Sequence, residues 1–82
     1  MPSAEFDAAA AKAKTLKDAT NDQLLKLYGL FKQATIGDCN TSRPGMFDPK
    51  GGYKWDAWNE KKGLSQADAE KQYIAYVESL FA

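Results

Sequence analysis

The stretch TNDQLLKLYGLFKQATIG, Thr20 to Gly37, decides the fold. Thr20 with Gln23 three positions later forms a capping box, in which each side chain reaches the other residue's backbone N–H at a helix start. Gly37 can close the same helix, because glycine tolerates the left-handed conformation of a helix end. A helix is therefore predicted over residues 21–36. Its apolar residues, Leu24, Leu25, Leu27, Tyr28, Leu30 and Phe31, spread over roughly 220° at about 100° per residue, wider than a helix facing one core requires. Part of that arc has a second partner. On its margin Leu25 and Lys32 lie seven apart and Tyr28 and Lys32 four apart, so a leucine, a phenol and an ammonium share one face. Two readings of this face stand side by side: a lysine covering exposed leucine with its methylenes, or a site for something both greasy and anionic.

Three more helices follow from the flanking sequence. Ser3 ahead of Glu5 and Asp7, with Lys12, Lys14 and Lys17 further on, opens a first helix predicted over residues 3–16. Its alanine block, Ala8 to Ala11, favours helix and leaves little bulk, so a neighbour can come close or a groove can stay open. Asp48 and Pro49 form a cap and first turn for a helix over 50–62 that Gly63 ends. Ser65 with Asp68 opens a last helix over 65–81. The apolar stripes Phe6, Ala10, Ala13, Leu16, then Trp55 and Trp58, then Tyr73, Ile74, Val77, Leu80 and Phe81 supply one core. No alternating strand pattern and no repeat occurs, so the fold class is all-α, a four-helix bundle. The first and last connections are short. The middle one, from about Gly37 to Lys50, is long and carries Pro44, Gly45 and Pro49.

With 82 residues the chain has room for a single domain, residues 1–82, burying about 60–65% of its unfolded surface. Eleven Lys plus Arg balance eleven Asp plus Glu, which argues against nucleic acid as a partner, since phosphate neutralisation demands a basic excess. The balance is not even along the chain. Lys26, Lys32, Arg43, Lys50 and Lys54 face only Asp38 and Asp48 between residues 26 and 54, a local excess of three, leaving minus three elsewhere. Cys39 is the only cysteine, so no intrachain disulfide is available and a reducing, cytoplasmic setting is expected. No apolar run approaches a transmembrane segment, and the N-terminus MPSAEFD has acids where a signal peptide carries basic residues. The sequon Asn40-Thr41-Ser42 is read as chance. Without histidine the commonest general base and transition-metal ligand is missing, so neither a catalytic centre nor a metal site is expected. Gly51-Gly52 alone is too weak a signal for a phosphate loop.

The run YGLFKQATIGDCNTSRPGMFDPKGGYKWDAWNEKKGLS, beginning at Tyr28, resembles the acyl-CoA-binding protein family, also called the diazepam-binding inhibitor family. Three pieces in order carry the match: YxxxKQATxGD at Tyr28 to Asp38, RPGM at Arg43 to Met46, and KWDAWNxxKG at Lys54 to Gly63. Similarity extends from AEFDxAA at Ala4 through AxxxYIxxV at Ala69 to Val77. The resemblance implies an up-down-down-up bundle, in keeping with the long middle connection that a parallel pair of helices requires. It implies carriage of long-chain acyl-CoA thioesters without turnover and without a cofactor, with acyl-CoA-using enzymes as transient partners; a monomer is expected because no apolar stripe is spare beyond the one given to the ligand.

The same resemblance implies ligand contacts at Lys14, Leu25, the segment Tyr28, Gly29, Leu30, Phe31 and Lys32, then Lys50, Lys54 and Tyr73. Tyr28, Lys32 and Lys54 are expected at the 3′-phosphate and its neighbours, Phe31 and Tyr73 at the adenine and ribose, and Leu25 beside the acyl chain. Many relatives have tyrosine where this chain has Phe31, so stacking can survive there but a hydroxyl contact cannot. Trp55 and Trp58 are about 60° apart around a helix axis; both are read as mainly structural, one of them near enough to the acyl groove to report its occupancy. A protein-interaction module indifferent to coenzyme A, or a small thioesterase or transferase consuming the thioester, are the competing functional classes.

Overall fold

The computed structural model describes residues 3–82; the first two residues of the predicted domain lie outside them. Each of its four helices starts where a side chain satisfies an orphan backbone N–H. Helix α1, Ala4–Ala13, begins with Ser3 Oγ accepting from the Phe6 N–H at 3.1 Å. Helix α2, Asn21–Thr35, begins with the full capping box, Gln23 N–H donating to Thr20 Oγ1 at 3.1 Å and Thr20 N–H to Gln23 Oε1 at 2.8 Å. In α3, Pro49–Asn59, and α4, Gln66–Phe81, the caps are Asp48 and Ser65.

The helix ends differ more from expectation than the starts. Helix α1 stops at Ala13 instead of reaching Leu16, because Thr15 donates its hydroxyl to the Lys12 carbonyl at 2.7 Å while the backbone tightens into three-residue turns. Lys14 therefore caps the helix rather than lying within it. Helix α3 likewise ends at Asn59, with tightened turns leading to Gly63. There φ is +93°, and the Gly63 N–H turns away to the Asp38 carboxylate at 2.8 Å. Gly37, at φ +101°, closes α2.

Contacts along the helices fix their directions. Ser3 N–H meets Glu70 and Lys12 meets Glu78, both at 2.9 Å, so α1 and α4 are parallel. Lys54 stands over Tyr28 and Lys32 over Trp58, so α2 and α3 are parallel. Gln66 donates to the Ala34 carbonyl while Lys26 covers Tyr76, so α2 and α4 run oppositely. The order is up-down-down-up, and the long connection has to return the whole length of the bundle. Helix α2 is the hub. It packs against α4 and α3, α1 packs against α4, and consecutive α1 and α2 share no close backbone approach.

Phe6, Leu27, Leu30, Tyr73 and Val77 form the core, with Ala9, Ala34 and Ala69 letting backbones draw together. Between α2 and α3 the corresponding device is Gly29, where a Cβ would collide with the Ala57 carbonyl. The tryptophans tie down the long connection. Trp58, buried, donates Nε1–H to the Gly37 carbonyl and Trp55 donates to that of Thr41, both at 2.8 Å. Arg43 adds a two-pronged bond to Asp56 at 2.9 and 3.0 Å. Asp38 accepts from Gln33 Nε2 as well as from Gly63, and the same Gln33 nitrogen donates to the Leu64 carbonyl, joining the ends of α2 and α3.

Candidate ligand-binding groove

The wide apolar arc of α2 divides between two tasks. Leu27 and Leu30 turn into the core, whereas Leu24, Tyr28 and Phe31 look over the gap that α1 and α2 leave between them. Small residues of α1, Ala10 and Ala13, keep this gap open, and Lys14 stands at its rim. The result is a shallow apolar cavity of about 240 Å³. Across the crest of α2 lies a second cavity of about 510 Å³, bounded by Asn21, Leu25, Lys50, Tyr53 and Lys54. Leu24 and Tyr28 line both, so the two halves form one trough draped over α2.

Cations frame the trough. Among the described residues the ion pairs are Lys12 with Glu78 and Arg43 with Asp56, so Lys14, Lys32, Lys50 and Lys54 have no carboxylate within pairing distance. Two of these lysines rest on rings of the facing helix, Lys32 at 4.9 Å from the Trp58 centroid and Lys54 at 5.6 Å from that of Tyr28. Such contacts orient an ammonium without neutralising it. A further cavity of about 470 Å³, which shares Leu25 and Tyr53 with the trough, has Asp22, Asp56 and Glu60 in its wall against Lys26 and Lys61. The carboxylates outnumber the lysines there, so that wall is less suited to an anion than the trough.

The trough lining thus offers leucine, alanine and aromatic surface with ammonium groups at the margin, an arrangement that can hold an amphiphile with an anionic head. A family model described as acyl CoA binding protein matches residues 3–77. Acyl-CoA-binding protein homolog 1 of Caenorhabditis elegans is 63% identical over 78 residues, 94% of this chain and 91% of the relative. The chain belongs to the acyl-CoA-binding protein family. The Drosophila melanogaster acyl-CoA-binding protein homolog is 51% identical over 83 residues, 100% of this chain and 96% of its own. The crystal structure of Oryza sativa acyl-CoA-binding protein 2 superposes with a TM-score of 0.91 at 50% identity, covering 94% of this chain and 87% of that one.

For this member of the acyl-CoA-binding protein family, Lys14, Leu25, Tyr28, Phe31, Lys50, Lys54 and Tyr73 line the trough, whereas Lys32 lines neither half and rests on Trp58, one helical turn beyond Tyr28. Leu30 and Gly29 do not. Leu30 is 0% exposed within the core, and Gly29 is buried under the Ala57 carbonyl. The segment from Tyr28 to Lys32 therefore presents Tyr28, Phe31 and Lys32 and hides the pair between. Tyr73, 4% exposed, offers the trough only a narrow strip, its ring packed against Phe6 and Phe31 with centroids 4.9 and 6.0 Å away. Burial pushes its phenol above the ordinary tyrosine range, so it remains a neutral O–H donor.

Two lining residues escaped the sequence reading as candidates, Leu24 and Tyr53. Leu24 was visible in the over-wide arc of α2. Tyr53 lies three residues after Lys50 and so shares its helical face, a signal that the lysine masked.

Proposed function

We propose that this chain is a non-catalytic carrier of long-chain acyl-CoA thioesters, working as a monomer in the cytoplasm. The carrying observation is the apolar trough floored by small and aromatic residues and bordered by Lys14, Lys50 and Lys54, which no carboxylate among the described residues neutralises. Tyr28, Lys32 and Lys54 take the 3′-phosphate and neighbouring phosphates in charge-assisted hydrogen bonds. Lys14 and Lys50 add charge at the rim. Phe31, with the strip of Tyr73 behind it, supports the adenine and ribose, for which aromatic stacking contributes about 1–3 kcal/mol. Leu24 and Leu25 shelter the fatty chain, where each buried methylene contributes about 0.8 kcal/mol, so longer chains bind more tightly.

Titration calorimetry with palmitoyl-CoA, coenzyme A and free palmitate, followed by a thiol-release assay, tests the reading. Tight binding of palmitoyl-CoA alone, without thiol release, is expected. Steady thiol release would make the protein an enzyme, and indifference to all three ligands would leave the amphipathic helices to a protein partner.

A further inference from the structure

In the turn Gly45 to Asp48 the Asp48 N–H donates to the Gly45 carbonyl at 3.0 Å, and the two central residues are Met46, 85% exposed, and Phe47, 96% exposed. Turn centres ordinarily take glycine, proline, asparagine or aspartate. Two large apolar side chains bathed in solvent break a local rule that the caps and core elsewhere obey, and such breaks mark functional places. The tip is also held out. Arg43 is fastened to Asp56 on one side of it, Asp48 caps α3 on the other, and neither Met46 nor Phe47 lines the cavities described above. Because α2 and α3 are parallel, this turn sits at the end of the bundle where both begin. There Leu24 and Tyr53 are exposed as well, and the larger half of the trough opens beside Lys50 and Lys54.

We infer that Met46 and Phe47 insert into the headgroup layer of an anionic phospholipid bilayer, seating the mouth of the trough on the membrane. The inference rests on the acyl-CoA reading, since an amphiphile with a fatty tail partitions into bilayers and is collected there. Charge complementarity selects the occupant: Lys50 and Lys54 border the larger half of the trough beside this turn and have no carboxylate partner among the described residues. A two-residue tip is small beside the roughly 800 Å² per partner of a stable protein interface. A lipid surface asks only for a few apolar side chains and nearby lysines. The same lysines are those assigned to the ligand phosphates. A loaded protein therefore has less charge to offer the bilayer and leaves it, while an empty one returns.

Co-sedimentation of the full chain with vesicles of phosphatidylcholine, alone or mixed with phosphatidylglycerol, tests this. Binding is expected to be about fivefold or more stronger on the mixed vesicles, and the double variant Met46→Ser, Phe47→Ser is expected to lose about fivefold or more of it. Its palmitoyl-CoA affinity in vesicle-free solution should stay within about twofold of wild type, because neither side chain lies in the trough. Saturation with a short-chain acyl-CoA, which stays in water but brings the same phosphates, should release the wild type. Equal vesicle binding by the double variant, or no preference for anionic lipid, would overturn the inference. So would a dimer that the double variant abolishes in the absence of any vesicle binding, which would assign the tip to self-association. If the tip binds anionic vesicles while calorimetry finds no acyl-CoA binding, the docking surface stands and the carrier reading fails.

Discussion

The ammonium of Lys32 lies 4.9 Å from the centre of the Trp58 ring on the neighbouring helix. One turn earlier the relation is mirrored, with Lys54 of α3 resting 5.6 Å from the centre of the Tyr28 ring of α2. The two parallel helices thus exchange cations across their seam, and each cation keeps its charge available. Holding both in place before a ligand arrives lowers the ordering cost of binding.

Lys32→Ala and Lys54→Ala are each expected to weaken palmitoyl-CoA binding by about 1.5–3 kcal/mol, the range for hydrogen bonds to charged groups. Calorimetry measures the loss, and far-ultraviolet circular dichroism should be unchanged. Unaltered affinity in both variants would remove these lysines from the site.

Trp58 should report occupancy, since a ligand phosphate that draws Lys32 off its ring changes the surroundings of the indole. In a Trp55→Phe background, where Trp58 is the only tryptophan, saturating acyl-CoA is expected to shift the tryptophan emission. A constant spectrum counts against that nearness. Trp58→Phe should also cost about 1–3 kcal/mol in urea unfolding, through the lost bond to the Gly37 carbonyl.

Gly29→Ala sets a methyl against the Ala57 carbonyl and forces α2 and α3 apart. A loss of about 1–3 kcal/mol is expected by denaturant titration. The affected seam also holds Lys32 and Lys54, so affinity should fall with stability rather than independently of it.

Acid should loosen the anchorage of the long connection. The Gly63 N–H and then Gln33 hold the Asp38 carboxyl below its ordinary range, and the hydrogen bond and charge of Arg43 do so for Asp56. With the folded-state values depressed, this contribution is complete above the ordinary carboxylate range and disappears as pH falls through the lowered values. Urea midpoints followed from neutrality into acid should decline over that window, and less steeply in Asp38→Asn. Identical declines would show that Asp38 carries no share.

Helix starts were legible because a cap is written in consecutive residues: Thr20 with Gln23, Asp48 with Pro49, Ser65 with Asp68. Ends were less so, since Thr15 could equally have continued α1 or bonded backward to Lys12, and only the second occurs. The breadth of apolar surface on α2 announced a second partner for that helix. Which side it faced was not legible. Leu30 and Phe31 are neighbours with different fates: Leu30 is enclosed in the core, while Phe31, though packed on Phe6 and Tyr73, keeps an open side where α1 and α2 leave their gap, information that resides in tertiary packing. The same holds for the tryptophans, whose acceptors at Gly37 and Thr41 lie far away in the chain, and for Asp38, which no local pattern tied to Gly63.

The missing backbone approach between α1 and α2 has a thermal corollary. The adenine and ribose of a bound ligand, laid into that space, would supply, from outside the polypeptide, interior that the amino acids do not provide. Melting temperature should then rise with the amount of cargo, making heat resistance a gauge of how full the carrier is.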